Sequence, residues 1–210
     1  MFQSLEARRL LSVSLNDGLL AVVGTAGNDR LFVGRNQTEV VVNDNGTVHE
    51  FPLGDVEAIG IRGLAGDDRI AIGRGLTVPI LISGGDGNDW VAGGTGAERI
   101  FGDAGNDRLS GGGGGDFMAG GEGDDWLTGG AGPDSMVGGA GNDRFDAVDH
   151  DRDRVNGGDG IDAARVNAGD QVEFVEHVQV FPPPAPSMTA ELTRNLDELV
   201  KRDEEATAVL

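Results

Sequence analysis

Seven carboxylates stand nine residues apart without a slip: Asp89, Glu98, Asp107, Asp116, Asp125, Asp134 and Asp143. Each closes a glycine-rich turn in a run from Gly84 to Asp146 that reads GGDGNDWVA, GGTGAERIF, GDAGNDRLS, GGGGGDFMA, GGEGDDWLT, GGAGPDSMV and GGAGNDRFD. An array of hard oxygen donors on turns suits a multivalent cation. The charge balance agrees, because the 210-residue chain carries a formal net charge of −20. Such a chain repels nucleic acid and anionic membrane surfaces. The absence of cysteine excludes disulfides and thiolate metal sites. His49, His150 and His177 are too scattered to make a zinc site. Glycine supplies 37 residues but without the three-residue period of collagen. An apolar residue returning at every ninth position argues for an ordered repeat instead of a disordered acidic tract.

The pattern G-G-x-G-x-D-x-apolar-x resembles the RTX (hemolysin-type) calcium-binding nonapeptide. That resemblance implies an all-β fold, a parallel β-roll in which two nonapeptides make one coil. Each unit is then expected to be a six-residue turn followed by a three-residue strand. The apolar residues at unit position 8 (Val91, Ile100, Leu109, Met118, Leu127, Met136 and Phe145) should point inward. One buried side chain per nine residues returns far less free energy than the ordering of nine backbones consumes. Calcium bound only by the folded turns would therefore contribute to folding itself. Its six to eight oxygen ligands can come from the position-6 carboxylates and from turn carbonyls, in a geometry looser than magnesium accepts.

With two units per coil, residues eighteen apart stack. One position-6 column holds Asp89, Asp107, Asp125 and Asp143, extended to Asp68 and Asp162 through short insertions. The other holds Glu98, Asp116 and Asp134, with Arg152 falling where the next acid belongs. At position 5 the first column has Asn88, Asn106, Asp124 and Asn142, and the second has Ala97, Gly115 and Pro133. The sequence thus predicts a long calcium row on one edge and a short one on the other. Position 7 of the first column, Trp90, Arg108, Trp126 and Arg144, faces outward and predicts guanidinium groups stacked on indole faces. The same strip is also a candidate surface for cell-surface glycans or matrix.

Degenerate units flank the regular block. One runs from Gly24 to Leu31 and contributes Asp29 as a further candidate ligand, and another runs from Gly63 to Ile70. The chain accordingly divides into a targeting-like segment (1–23), degenerate repeats with a β-hairpin (24–83), the regular roll (84–146), a last repeat and cap (147–181), a proline-rich linker (182–186) and an amphipathic helix (187–210). The hairpin spans Glu39 to Phe51 and turns at Asp44-Asn45-Gly46. Leu76 to Ile82 reads as a strand that Pro79 makes irregular or confines to an edge. Val172 to Phe181 reads as a closing strand or two. Met188, Leu192, Leu196 and Leu199 share one face of the final helix. The segment around Leu5-Glu6 is similar to the LEPR-XLL opening of bacterial surface proteins, with Ala7 where that family has proline.

Asp149-His150-Asp151-Arg152-Asp153 is similar to the opening of an EF-hand loop. Arg154 stands at the required glycine, however, and Gly160 at the bidentate glutamate, so an extra calcium-binding turn inside the roll is expected instead. No G-x-S-x-G is present and no nucleophile–base set is indicated, so catalysis is not expected. No stretch has the length of a membrane-spanning helix. Together these features imply a calcium-binding, non-enzymatic module of the extracellular space or cell surface, with an adhesin scaffold as the second reading and an accessory module of a secreted hydrolase as the third.

Overall fold

The structure is a computed structural model that describes residues 12–181. The LEPR-XLL-like opening, the proline-rich linker and the C-terminal helix expected from the sequence lie outside the described residues. The chain winds into a parallel β-roll whose coils deposit strands alternately on two facing sheets. The first sheet runs β1 (Ser12–Asn16), β2 (Leu19–Val23), β6 (Ala58–Ala65), β8 (Ile80–Asp86), β10 (Glu98–Ala104), β12 (Phe117–Glu122), β14 (Ser135–Ala140), β16 (Arg154–Asp159) and β18 (Gln171–Glu173). The second runs β19 (His177–Phe181), β17 (Ala163–Asn167), β15 (Arg144–Ala147), β13 (Trp126–Ala131), β11 (Arg108–Gly113), β9 (Trp90–Ala92), β7 (Arg69–Ile72), β3 (Arg30–Arg35), β4 (Glu39–Asp44) and β5 (Thr47–Pro52).

Eighteen-residue stacking holds throughout the regular block, with Arg108 against Trp126 and Leu109 against Leu127. All seven position-8 residues are buried between the sheets. β9 keeps the three residues the repeat implies, but β10 to β14 are six or seven residues long. Between β12 and β13 only Gly123, Asp124 and Asp125 form the turn. The reason is visible in the register: Gly112 pairs with Gly130 and Gly113 with Ala131, so the glycines after the apolar residue remain in the ladder.

The N-terminal end departs from the sequence reading in two places. Residues 12–23 are not a separate segment, because β1 and β2 form an antiparallel hairpin that pairs with β6. Its two-residue Asp17-Gly18 loop has both residues at positive φ, 46° and 81°, as a type I′ turn requires. Pro79 is neither inside a strand nor at an edge. β8 begins one residue later and lies between β6 and β10, while the Pro79 carbonyl accepts the Ile59 N–H at 3.0 Å. The second hairpin, β4 and β5, turns at Asn45-Gly46 as expected. At the other end β18 and β19 continue the parallel ladders, so Val172 to Phe181 extends the roll.

Turns stack so closely that some glycines admit no side chain. Gly105 has φ of +128°, and a Cβ there would overlap the Gly87 carbonyl of the preceding coil. Gly46 also has positive φ, but a Cβ there meets nothing within 4 Å. Gly105→Ala is therefore expected to cost about 2–4 kcal/mol through strain and overlap together. Gly46→Ala should cost only about 1 kcal/mol. Denaturant melts of both variants in calcium-containing buffer check this ordering.

Candidate metal centre

The position-6 acids form two buried columns, one along each edge where the sheets meet. From Asp68 to Asp162, every Asp Oδ1 in the first column accepts the backbone N–H of its counterpart one coil earlier. Asp29 N–H donates to Asp68 at 2.7 Å, Asp68 to Asp89 at 2.7 Å, Asp89 to Asp107 at 2.8 Å, Asp107 to Asp125 at 2.8 Å, Asp125 to Asp143 at 2.9 Å and Asp143 to Asp162 at 2.8 Å. The chain of donations ends on Glu176. The second column repeats the device from Glu98 to Asp116 to Asp134.

The second column does not stop where the sequence places Arg152. Asp134 N–H donates to Asp153 at 2.8 Å, and Asp153 N–H to Asp170 at 3.1 Å. A one-residue insertion in the turn shifts Arg152 out of the column and brings Asp153 in, since β14 and β16 pair Ser135 with Arg154. Toward the N-terminus the same column turns apolar: Glu98 stacks on Ile80, Ile80 on Ile59 and Ile59 on Leu20. The rows are unequal, but less so than expected, and the boundary lies at Glu98.

Hydrogen bonding satisfies only one oxygen of most of these carboxylates. Oδ2 of Asp68, Asp89, Asp107, Asp125, Asp143 and Asp162 on the first edge, and of Asp116, Asp134 and Asp153 on the second, is buried without a partner. Each of the first six lies against the glycine five residues before it. A Cβ at Gly84 would overlap Asp89 Oδ2 and lie 2.9 Å from the Gly102 carbonyl oxygen. The cradle is thus built from a carboxylate oxygen and a carbonyl oxygen of the next coil, and glycine leaves its space open. Buried acceptors facing acceptors are costly unless a cation joins them. The donor set, all hard oxygens in a flexible arrangement, fits calcium.

Two of the sequence-predicted ligands differ. Glu98 folds back onto its own turn, accepting the Gly94 N–H at 3.0 Å. Asp29 accepts from the Thr25 N–H at 2.6 Å and Oγ1 at 3.0 Å, and from Asn45 Nδ2 at 2.6 Å. Both acids stand in their columns, yet neither has an unpartnered buried oxygen. The longer glutamate chain and the neighbouring hairpin supply hydrogen bonds that the other column acids lack. Asp153, in contrast, escaped the sequence reading, and only a tolerated one-residue insertion at His150–Arg152 would have found it.

Electrostatics follows from this geometry. Burial pushes the Asp68, Asp125 and Asp153 carboxyls up to about 7, and those of Asp107, Asp116, Asp134 and Asp143 to about 6. Backbone N–H bonds oppose the rise and neighbouring carboxylates add to it. The exposed Asp67 and Asp124 go the other way, held down first by the backbone N–H groups of Asn88 and Asn142. These last contacts belong to a second ladder on the first edge. There Asn106 N–H donates to Asn88 at 3.0 Å, Asp124 to Asn106 at 2.7 Å and Asn142 to Asp124 at 2.7 Å, each toward the preceding coil.

Because the buried aspartates have folded pKa values above their ordinary 3.8, their protonation favours the metal-free roll. That stabilisation is complete below about pH 3.8 and lost as pH rises through 6 to 7. In chelator, lowering the pH from 7.5 to 4.5 is expected to raise the β-strand signal in far-UV circular dichroism. Calcium affinity should fall over the same interval, because its ligands must be deprotonated. Asp125→Asn should move the molecule in the direction of acid at neutral pH: its amide replaces the orphaned Oδ2 with a donor, giving more order in chelator and a weaker calcium response.

Known proteins bear on the regular block. The family described as RTX calcium-binding nonapeptide repeat (4 copies) matches residues 83–118 and 119–147. No curated protein and no solved structure matches the chain. The matched residues contain the best-formed part of both aspartate columns, so residues 83–147 carry RTX calcium-binding nonapeptide repeats, and these build the middle of a longer β-roll.

Proposed function

We propose that this protein is a calcium-dependent folding module of the extracellular space or cell surface. On this reading its roll closes where calcium is abundant and loosens where calcium is scarce. The observation that carries the reading is the set of nine column aspartates with a buried, unpartnered Oδ2. A ligand that binds only the closed coils adds its binding free energy to folding. Millimolar calcium outside cells would then act as the folding signal. These acids are already committed to the two ladders, so no catalytic role is assigned to them. Far-UV circular dichroism of the full chain tests the proposal. Strand signal should rise with added calcium and fall with chelator at pH 7.5, and magnesium should not replace calcium. Full order in chelator and indifference to calcium would overturn it.

A second reading, adhesion, is favoured by the outer face of the first edge. Trp90 and Trp126 are 45% and 47% exposed and alternate in register with Arg108 and Arg144. They line a groove of about 2130 Å³ that takes in Arg30 and Arg69 together with the exposed carboxylates of Asp67 and Asp124. The expected stacking of guanidinium on indole is replaced by side-by-side placement. Among the described residues the cation–π contacts are Arg99 over Phe117 at 5.4 Å and Arg165 over Phe181 at 5.0 Å. The indole faces thus stay open, with cationic rungs roughly 4.8 Å away on either side. Open indole faces repeated along one edge suit an extended, uncharged glycan whose sugar rings stack on them. Neutral oligosaccharides such as cello- or chito-oligomers should bind the calcium-loaded protein, and combining Trp90→Ala with Trp126→Ala should weaken binding about tenfold or more without altering the dichroism.

A further inference from the structure

The turn between β15 and β16 differs from every other turn of the roll. Where the repeats place glycines, it reads Val148-Asp149-His150-Asp151-Arg152-Asp153, outside the residues that match the repeat family. Its side chains are pinned by one polar end each. Asp149 Oδ1 accepts the Asp151 N–H at 2.8 Å, and Asp153 Oδ1 accepts the Asp134 N–H. Asn167, on the facing strand β17, donates through Nδ2 to the Asp149 carbonyl at 2.8 Å and to the Ala147 carbonyl at 3.3 Å.

The opposite ends of these same three side chains have nothing to bond. Asp149 Oδ2, Asp153 Oδ2 and Asn167 Oδ1 are each buried without a partner. Asn167 is only 8% exposed and Asp153 only 1%. The orientation of the Asn167 amide follows from its two carbonyl acceptors, which demand the NH₂ on that side. Its oxygen is thereby turned away from them. The same Nδ2 also lies 3.5 Å from Asp149 Oδ1, and a flipped amide would face oxygen to oxygen at both carbonyls and at that carboxylate.

We infer that Asp149, Asp153 and Asn167 form a calcium site of their own at the C-terminal end of the second row, distinct from the nonapeptide sites. The inference rests on the calcium-binding reading of the roll and goes beyond it in naming a site that no repeat specifies. A regular site has one column carboxylate and turn carbonyls at its glycine. Here the glycine is missing, and a second carboxylate and a side-chain amide oxygen take the place of the carbonyls. All three donors are hard oxygens, the ligand class calcium prefers. Extra negative charge tightens such sites, so this ion should be held more firmly than its neighbours in the second row. Asp151 belongs to the same turn but not to the site, because its Oδ2 accepts the Gly132 N–H at 3.0 Å.

Native mass spectrometry of the full chain at graded free calcium tests the assignment, with far-UV circular dichroism on the same samples. Asp149→Asn and, separately, Asn167→Ala should each bind one ion fewer than the unaltered protein at calcium levels where the dichroism is complete. Asp151→Asn, which removes an equal charge from the same turn, should keep the full count. Retention of every ion by both site variants overturns the site, as does an equal loss in Asp151→Asn. If either site variant fails to reach the dichroism of the unaltered protein, the other decides by the same count. An unaltered chain that binds no calcium overturns this site together with the calcium-dependent reading of the roll. Calcium-dependent folding with undiminished counts in the variants overturns this site alone.

Discussion

The whole roll turns on a carboxylate that is half satisfied. One oxygen of the column aspartates from Asp68 to Asp162, and from Asp116 to Asp153, holds the backbone of the preceding coil at hydrogen-bond distance, and the other is buried without a partner. The first oxygen stacks the coils and fixes their eighteen-residue register. The second makes that stack expensive at neutral pH unless a cation or a proton intervenes. Structure and calcium binding are therefore properties of the same atoms. Glycine at the start of each turn is the complement of this arrangement, since it keeps open the space that the orphaned oxygen faces.

The roll is also graded along its length. In the N-terminal part the second column is Leu20, Ile59 and Ile80, and the outer edge of β3 is covered by the hairpin of β4 and β5. Aliphatic packing there takes the place of the buried acids farther on, because branched side chains fill the column where small turns would leave little to bury. Glu98 marks the change from one regime to the other, and its self-satisfied carboxylate suits a boundary position. Beyond it, the interior narrows to one large apolar residue per strand and the acids take over.

Most of this was legible in the sequence wherever period and spacing stayed intact. The columns, their apolar interior and the Asn45-Gly46 hairpin needed only counting. Legibility failed where a single residue broke the count. Arg152 sits in the arithmetic position of an acid, but the chain bulges by one residue and Asp153 occupies the column, because an extra residue in a turn costs less than a charged gap in a buried ladder. Asp17-Gly18 carries the local signal of a type I′ loop, yet it lies beside an opening that reads as a targeting segment. Only the pairing of β2 with β6 assigns it to the roll. Pro79 misled for a related reason: a strand boundary one residue later turns a breaker into an ordinary flank. The satisfied state of Asp29 could not be read at all, since it depends on Asn45 reaching back from another turn.

The two ladders of the first edge run in opposite senses. Aspartate N–H groups donate toward the following coil, while the Asn and Asp residues beside them donate toward the preceding one. Each coil is thus a link with a hook at both ends. Any stretch of eighteen residues can be gained or lost and the severed hooks will find identical partners. Nine residues cannot, because the edges would exchange and Pro133, which has no N–H to give, would fall into a column that donates at every step. Whole coils thus repeat along this edge without altering its ladders, and half coils do not.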